Sequence, residues 1–269
     1  MVKYLEIGDI KMRKIVLFAA LAIVSFCLSA CVIVKKSDTI SGEMITKNYE
    51  QVDFQKVQLA CPADLYFSLS DSFSVRVECD KTYMENLEVY VKNKTLHIEE
   101  KNQFGRQVFF GKDNNSDFKV YVSAPSLAGV AVAGSGLFEC QDNVSAEKFS
   151  AQVAGSGDIK LRSVQCADFD TSVAGSGMVE LDTLQAKNAS ISIAGSGDVR
   201  LNARKVEKTK ASIAGSGEID IHFEDCGTAS ISIAGSGDVA LSGTLKTLNQ
   251  NVRGSGDIRT KNLKLTGEG

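Results

Sequence analysis

Apolar residues recur at every second position through most of the chain from residue 51 onward, in short runs broken by turn-rich stretches. VDFQKVQL, DLYFSL, FSVRVEC, LEVYV, TLHIE and FKVYV all alternate in this way before residue 126. Such alternation buries one face of a β-strand, and helical spacing is absent. Beyond residue 130 the pattern becomes periodic. Seven Gly-Ser-Gly triplets begin at Gly134, Gly155, Gly175, Gly195, Gly215, Gly235 and Gly254, with spacings of 21, 20, 20, 20, 20 and 19 residues. A fixed period near twenty marks a solenoid, whose repeats bury their apolar faces only by stacking on one another.

Columns drawn through the repeats carry the same message. Four residues past the first glycine stand Phe138, Ile159, Val179, Val199, Ile219, Val239 and Ile258; two before it stand Val132, Val153, Val173, Ile193, Ile213, Ile233 and Val252. Strands on both sides of the triplet therefore turn one face inward. Five past the glycine the residues are Glu139, Lys160, Glu180, Arg200, Asp220, Ala240 and Arg259, alternating in sign with one neutral interruption. Parallel strands in register would set those charges side by side. Three before the glycine runs a polar outward ladder, Ala131, Gln152, Ser172, Ser192, Ser212, Ser232 and Asn251. Glycine at both ends of the triplet suits a positive φ and a crowded corner.

The pattern predicts an all-β chain. Residues 127–269 form a parallel β-helix of about 20 residues per rung with the GSG turns at one corner. Residues 51–126 form an N-terminal β region that continues or caps it, and residues 31–50 read as a tether.

The N-terminus changes the picture. A basic Met12-Arg13-Lys14 precedes the apolar run Ile15–Leu28, too short for a comfortable membrane span and right for a signal peptide covering residues 1–30. Leu28-Ser29-Ala30-Cys31 resembles a bacterial lipobox, so the mature chain is expected to begin at Cys31 with lipid attached there. Its partner would then be the outer membrane, through that anchor, because no Asp follows Cys31. VIVKKSD after the cysteine also lacks an acidic surface-export cluster, which leaves the membrane face open between cell surface and periplasm. The first 30 residues carry four cations against two acids, so the chain from Cys31 on stands near −5 against −3 for the whole. With no basic block, nucleic acid is not an expected partner.

Five further cysteines, Cys61, Cys79, Cys140, Cys166 and Cys226, show no CxxC spacing, and Cys166 and Cys226 share a column three rungs apart, which reads as packing. The glycine triplets are followed by strands, unlike a phosphate-cradling loop that opens onto a helix. Asp198, Glu218, Asp238 and Asp257 form four consecutive acidic rungs; Ca²⁺ favours such oxygens, yet solvated turn acids look the same, and no metal or cofactor residue is assigned. His97 and His222, the only histidines, both take outward parity, and no catalytic grouping stands out.

The SAPSLAGVAVAGSG lead-in, the string of GSG(D/E) turns and the LEVYVKNKTLHIEE segment together resemble the putative auto-transporter adhesin, head GIN domain family, over roughly residues 50–269. The resemblance implies a right-handed β-helix-like fold and a role in adhesion, and it brings no catalytic set. No membrane-barrel segment or heptad stalk is seen, so the lipid on Cys31 is expected to replace the barrel as anchor. Three function classes follow: an adhesive or binding lipoprotein touching glycan or protein, a periplasm-facing envelope lipoprotein of structural or stress-related role, and a carbohydrate-active β-helix enzyme. The first is the reading adopted, with no catalytic residue.

Overall fold

At each of the seven triplets the first glycine holds a φ between 110° and 138°, a region closed to side chains. The second glycine does not. Its necessity is steric, since a Cβ on Gly177 would fall inside the Gly157 carbonyl oxygen and 2.7 Å from Val153 Cγ1. The two glycines thus serve separate needs. The corners are also hydrogen-bonded to one another: the Ser176 amide donates to the Gly155 carbonyl at 2.9 Å and the Asp198 amide to the Gly177 carbonyl at 3.0 Å.

The computed structural model describes residues 42–101 and 117–267, which belong to the unit Thr39–Lys101 with Phe110–Gly269. In chain order, the N-terminal elements are β1 (Met44–Tyr49), β2 (Lys56–Ala60), β3 (Asp64–Leu69), β4 (Ser74–Asp80), α1 (Lys81–Glu85), β5 (Leu87–Lys92), β6 (Thr95–Glu100) and β7 (Lys119–Ala124). The repeats follow as β8 (Gly129–Gly134), β9 (Leu137–Ser145), β10 (Lys148–Gly155), β11 (Asp158–Gly175), β12 (Met178–Gly195), β13 (Asp198–Arg204), β14 (Lys208–Gly215), β15 (Glu218–Gly235), β16 (Asp238–Gly254) and β17 (Asp257–Leu265). Together they make a β-solenoid of about seven turns, about 20 residues each. Strands leading into the triplets form one sheet and strands leaving them a second. Both are parallel and in register, as Val173↔Ile193 and Ile159↔Val179 show.

The N-terminal region both continues the stack and caps it. β2 pairs with β8 and β3 with β9, so Cys61-Pro62-Ala63 takes the place of a GSG triplet. β6 and β7 add an outer rung, parallel to β2 and β3. Antiparallel strands then close both sheets: β5 covers β6, while β4 covers β7 and β1 covers β4. The β5–β6 hairpin turns on Asn93 and Lys94, both at φ above 50°, the two-residue turn that matches strand twist. α1 links the two closing strands and buries Tyr83 and Met84. Such a cap covers a core cross-section and paired edges that would otherwise invite association. The tether expected to reach residue 50 is corrected here, because Met44–Tyr49 is a strand of this cap; Cys31 and residues 1–41 lie outside the described residues.

The apolar columns expected from the repeats are buried in every rung but the last. In β13 and β15 alternation runs unbroken to Ala203 and Phe223, while in β11 and β12 a register irregularity after Leu161 and Leu181 shifts the inward phase toward the far corner. There the column Leu184, Ala203, Phe223, Gly243, Leu263 alternates large and small side chains from rung to rung. Phe149 and Phe169 stack at 6.3 Å in a neighbouring column, where the next rungs supply Ala189, Thr209 and Ala229.

Thr209 is 2% exposed and its hydroxyl has no hydrogen-bond partner. An unpaired buried hydroxyl costs about 1–3 kcal/mol, so Thr209→Val should raise stability by about 1 kcal/mol in a denaturant titration. A loss instead would mean that the hydroxyl finds a partner in solution. The five described cysteines are free thiols, and all except the half-buried Cys166 are buried. Burial pushes the Cys79 thiol up to about 12 and those of Cys140 and Cys166 up to about 11. Thiols held protonated in this way are inert packing groups.

Candidate functional site

Because each rung repeats the last in register, outward side chains line up along the solenoid as ladders. On the first sheet the ladder reads Gln152, Ser172, Ser192, Ser212, Ser232 and Asn251. Beside it, one column nearer the corner, an alanine stands in each rung from Ala133 to Ala234. Small side chains leave the sheet flat and its backbone close to the surface. A shallow depression of about 440 Å³ lies over Ser190, Lys210, Ser212, Ser230, Ser232 and Asn249.

The second sheet carries the charges. Pairings Lys160↔Glu180, Glu180↔Arg200 and Arg200↔Asp220 place the alternating column side by side, as its signs had indicated. The close contacts take a different route. Arg200 Nη2 lies 3.4 Å from Asp198 Oδ2 in its own strand. Arg259 passes over the small Ala240 to reach Glu218 Oε1 at 2.8 Å and Asp238 Oδ2 at 3.8 Å. Arg204 Nε does bond straight across the rungs to Glu224 Oε2 at 2.7 Å, and that bond holds the Glu224 carboxyl below its ordinary range. Asp198, Glu218 and Asp238 of the acidic column are thus engaged by guanidinium groups, and among the described residues no set of three His, Cys, Asp or Glu could hold a metal ion. Arg200→Glu should cost about 1 kcal/mol through like-charge contact with Glu180 and Asp220. An unchanged melting temperature at low salt would show that the column contributes nothing.

The same outward column continues into the cap as an aromatic platform that sequence reasoning did not identify. Tyr66 pairs with Glu139 on one side and Tyr121 on the other. The two tyrosine rings stack at 5.6 Å, and the Arg76 guanidinium sits 4.2 Å from the Tyr121 centroid while also pairing with Glu78. With Ser68, Ser74 and Ser123 these groups line a depression of about 350 Å³. Alternation in DLYFSL and FKVYV does place both tyrosines outward. That β7 lies against β3 and β4 rather than beside its chain neighbours is a tertiary decision.

A third depression, about 590 Å³, opens at the far corner where the cap meets the regular rungs. Lys56, Glu147, Lys148, Asp168 and Asp170 line it. Lys148 Nζ reaches Asp168 Oδ2 at 3.7 Å, and Asn188 Nδ2 donates to Asp168 Oδ1 at 2.8 Å. The two histidines occupy different sheets. His97 stacks on Tyr90 at 4.8 Å, and His222 Nδ1 lies 3.0 Å from Ser242 Oγ. The lipid-attachment residue expected from the sequence, Cys31, is outside the described residues.

Rigid, flat sheets bearing regular polar ladders, closed at one end by antiparallel strands, define a β-solenoid that presents its outer faces. The family described as putative auto-transporter adhesin, head GIN domain, matches residues 53–225 and 205–267, and this chain belongs to that family. Among solved structures, a putative adhesin from Bacteroides fragilis NCTC 9343 is similar with a TM-score of 0.70 at 20% identity, over 82% of this chain and 98% of that one. A putative lipid binding protein from Parabacteroides distasonis ATCC 8503 is similar at 0.66 and 25% identity, over 81% and 97%. A putative adhesin from Parabacteroides merdae ATCC 43184 is similar at 0.64 and 19%, over 81% and 96%. No curated protein matches the chain.

Proposed function

We propose that this protein is a lipid-anchored, non-catalytic adhesin of the cell envelope, held in the outer membrane through Cys31 and presenting its solenoid faces to a glycan or protein ligand. The observation that carries the reading is the set of in-register outward ladders, Ser172 to Asn251 on one sheet and Glu139 to Asp220 with Tyr66 and Tyr121 on the other. A face built from identical small steps offers many equivalent weak contacts. That arrangement suits an extended or repetitive partner, where summed contacts supply avidity. Membership in an adhesin-described family supports the same reading.

Protease shaving of intact cells tests it. Loss of the protein while a periplasmic control survives is the expected result, together with release of a Cys31→Ser variant from the membrane fraction. Full protection of a protein that is cleavable once released would overturn surface adhesion in favour of a periplasm-facing envelope role.

A further inference from the structure

The two ends of the solenoid differ. The N-terminal end is closed by β1, β4, β5 and α1, whereas at the other end, among the described residues, nothing pairs with the outer edge of β17 or of β16 from Thr247 to Gly254. Both edges present unpaired backbone amides and carbonyls, the arrangement that accepts an added strand. The inward columns also open to water here. Val252 is 41% exposed where its neighbour Ile233 is 1%, and Leu265 is 53% exposed where its neighbour Leu245 is 1%.

The charge of this rung is opposite in sign to that of the whole chain. From residue 246 to residue 269, Lys246, Arg253, Arg259, Lys261 and Lys264 stand against Asp257 and Glu268, in a protein whose net charge is −3. Arg259 is held by Glu218 and Asp238, while Arg253, Lys261 and Lys264 are exposed. Two inward positions have also turned polar: Gln250 stands where the preceding rung has Ile231, and Thr260 follows in the column of Leu241. Such an end tolerates water when bare, as a reversible docking surface must.

We infer that the exposed edges of β16 and β17, with their apolar strip and their cations, dock an acidic, extended segment of another polypeptide by strand addition. The polypeptide class follows from the edge, since only another backbone pairs with a row of amides and carbonyls. The acidity follows from the cations. A second copy of this chain does not fit, because its own C-terminal rung is equally basic and its outer cap strands β1 and β5, MITKNY and LEVYVK, carry no net negative charge. Nor does the segment 31–41, which holds Lys35 and Lys36 against Asp38. This partner class deepens the adhesin reading and rests on it only in that a binding protein is assumed.

The test uses the purified chain from residue 32 and a fluorescein-labelled twelve-residue peptide of alternating Glu and Val, read by anisotropy. Saturable binding that weakens as salt rises from about 0.05 to 0.3 M is expected, and an alternating Lys/Val peptide should not bind. Lys261→Glu combined with Lys264→Glu should weaken binding by about tenfold or more while leaving the circular dichroism melt unchanged. N-methylation at alternate backbone amides of the peptide should abolish binding. Equal binding of the methylated peptide would reduce the effect to simple charge attraction and overturn strand addition. So would no binding to the Glu/Val peptide, or preferential binding to phosphatidylglycerol vesicles. Each of these outcomes leaves the shaving result untouched, so surface exposure and partner class stand or fall separately.

Discussion

Replacing Gly175 with alanine is expected to lower stability by roughly 4 kcal/mol, while the same change at Gly134 costs only about 1–3 kcal/mol. Both glycines hold the same kind of backbone, φ 133° and 110°, so both variants carry the strain of a side chain in a region reserved for glycine. They differ in what lies above. A Cβ at Gly134 meets nothing within 4 Å. At Gly175 it would press into the Gly155 carbonyl, 3.0 Å from that carbon, and the parallel rungs cannot part without breaking the hydrogen bond from Ser176 to Gly155. Differential scanning calorimetry should place the Gly175→Ala midpoint roughly 8–16 °C below the parent, at about 2–4 °C per kcal/mol for a domain of this size. Equal losses at the two sites would show that backbone conformation alone, and not rung spacing, requires glycine at the corner.

Phe223→Ala should be comparably damaging, at about 3–5 kcal/mol by chemical denaturation. Phe223 is fully buried, and its neighbours in the column are Ala203 and Gly243. Those small residues make room for the ring in the parent, and they have no side-chain reach to fill the space it leaves. Gly243 is itself held at φ 88° against the Phe223 backbone, which limits relaxation from that side. The cost should therefore lie near the top of the range for an aromatic truncation. A loss under about 1 kcal/mol would mean that the far corner repacks freely.

The repeats were readable from one sequence because a parallel, in-register stack writes its geometry into columns. Val132 to Ile233 are buried, the charges from Glu139 to Asp220 stand in register on neighbouring strands, and the GSG corners stack on one another. Each of these relations joins residues one period apart, and the period is visible. The division of labour within the triplet was not visible, since conformational need and close approach both select glycine. Nor could the sequence show that Arg259 reaches two rungs back to Glu218, because a long side chain is not confined to its column.

Alternation and period alone determined the strands, the parallel stacking, the rung length and the apolar interior, because each is a local preference repeated until it becomes global. Tertiary structure alone decided the cap. β7 slides between β3 and β4, and β6 pairs with β2 on the side away from its hairpin partner β5; the pairings of β7 and that of β6 with β2 are separated along the chain and carry no periodic trace. Those choices set Tyr66 against Tyr121 and Arg76. They also close one end of the stack, while the far end keeps its edges open among the described residues. Strand order in the cap depends on which apolar face each strand can cover, and that surface exists only once the others have folded.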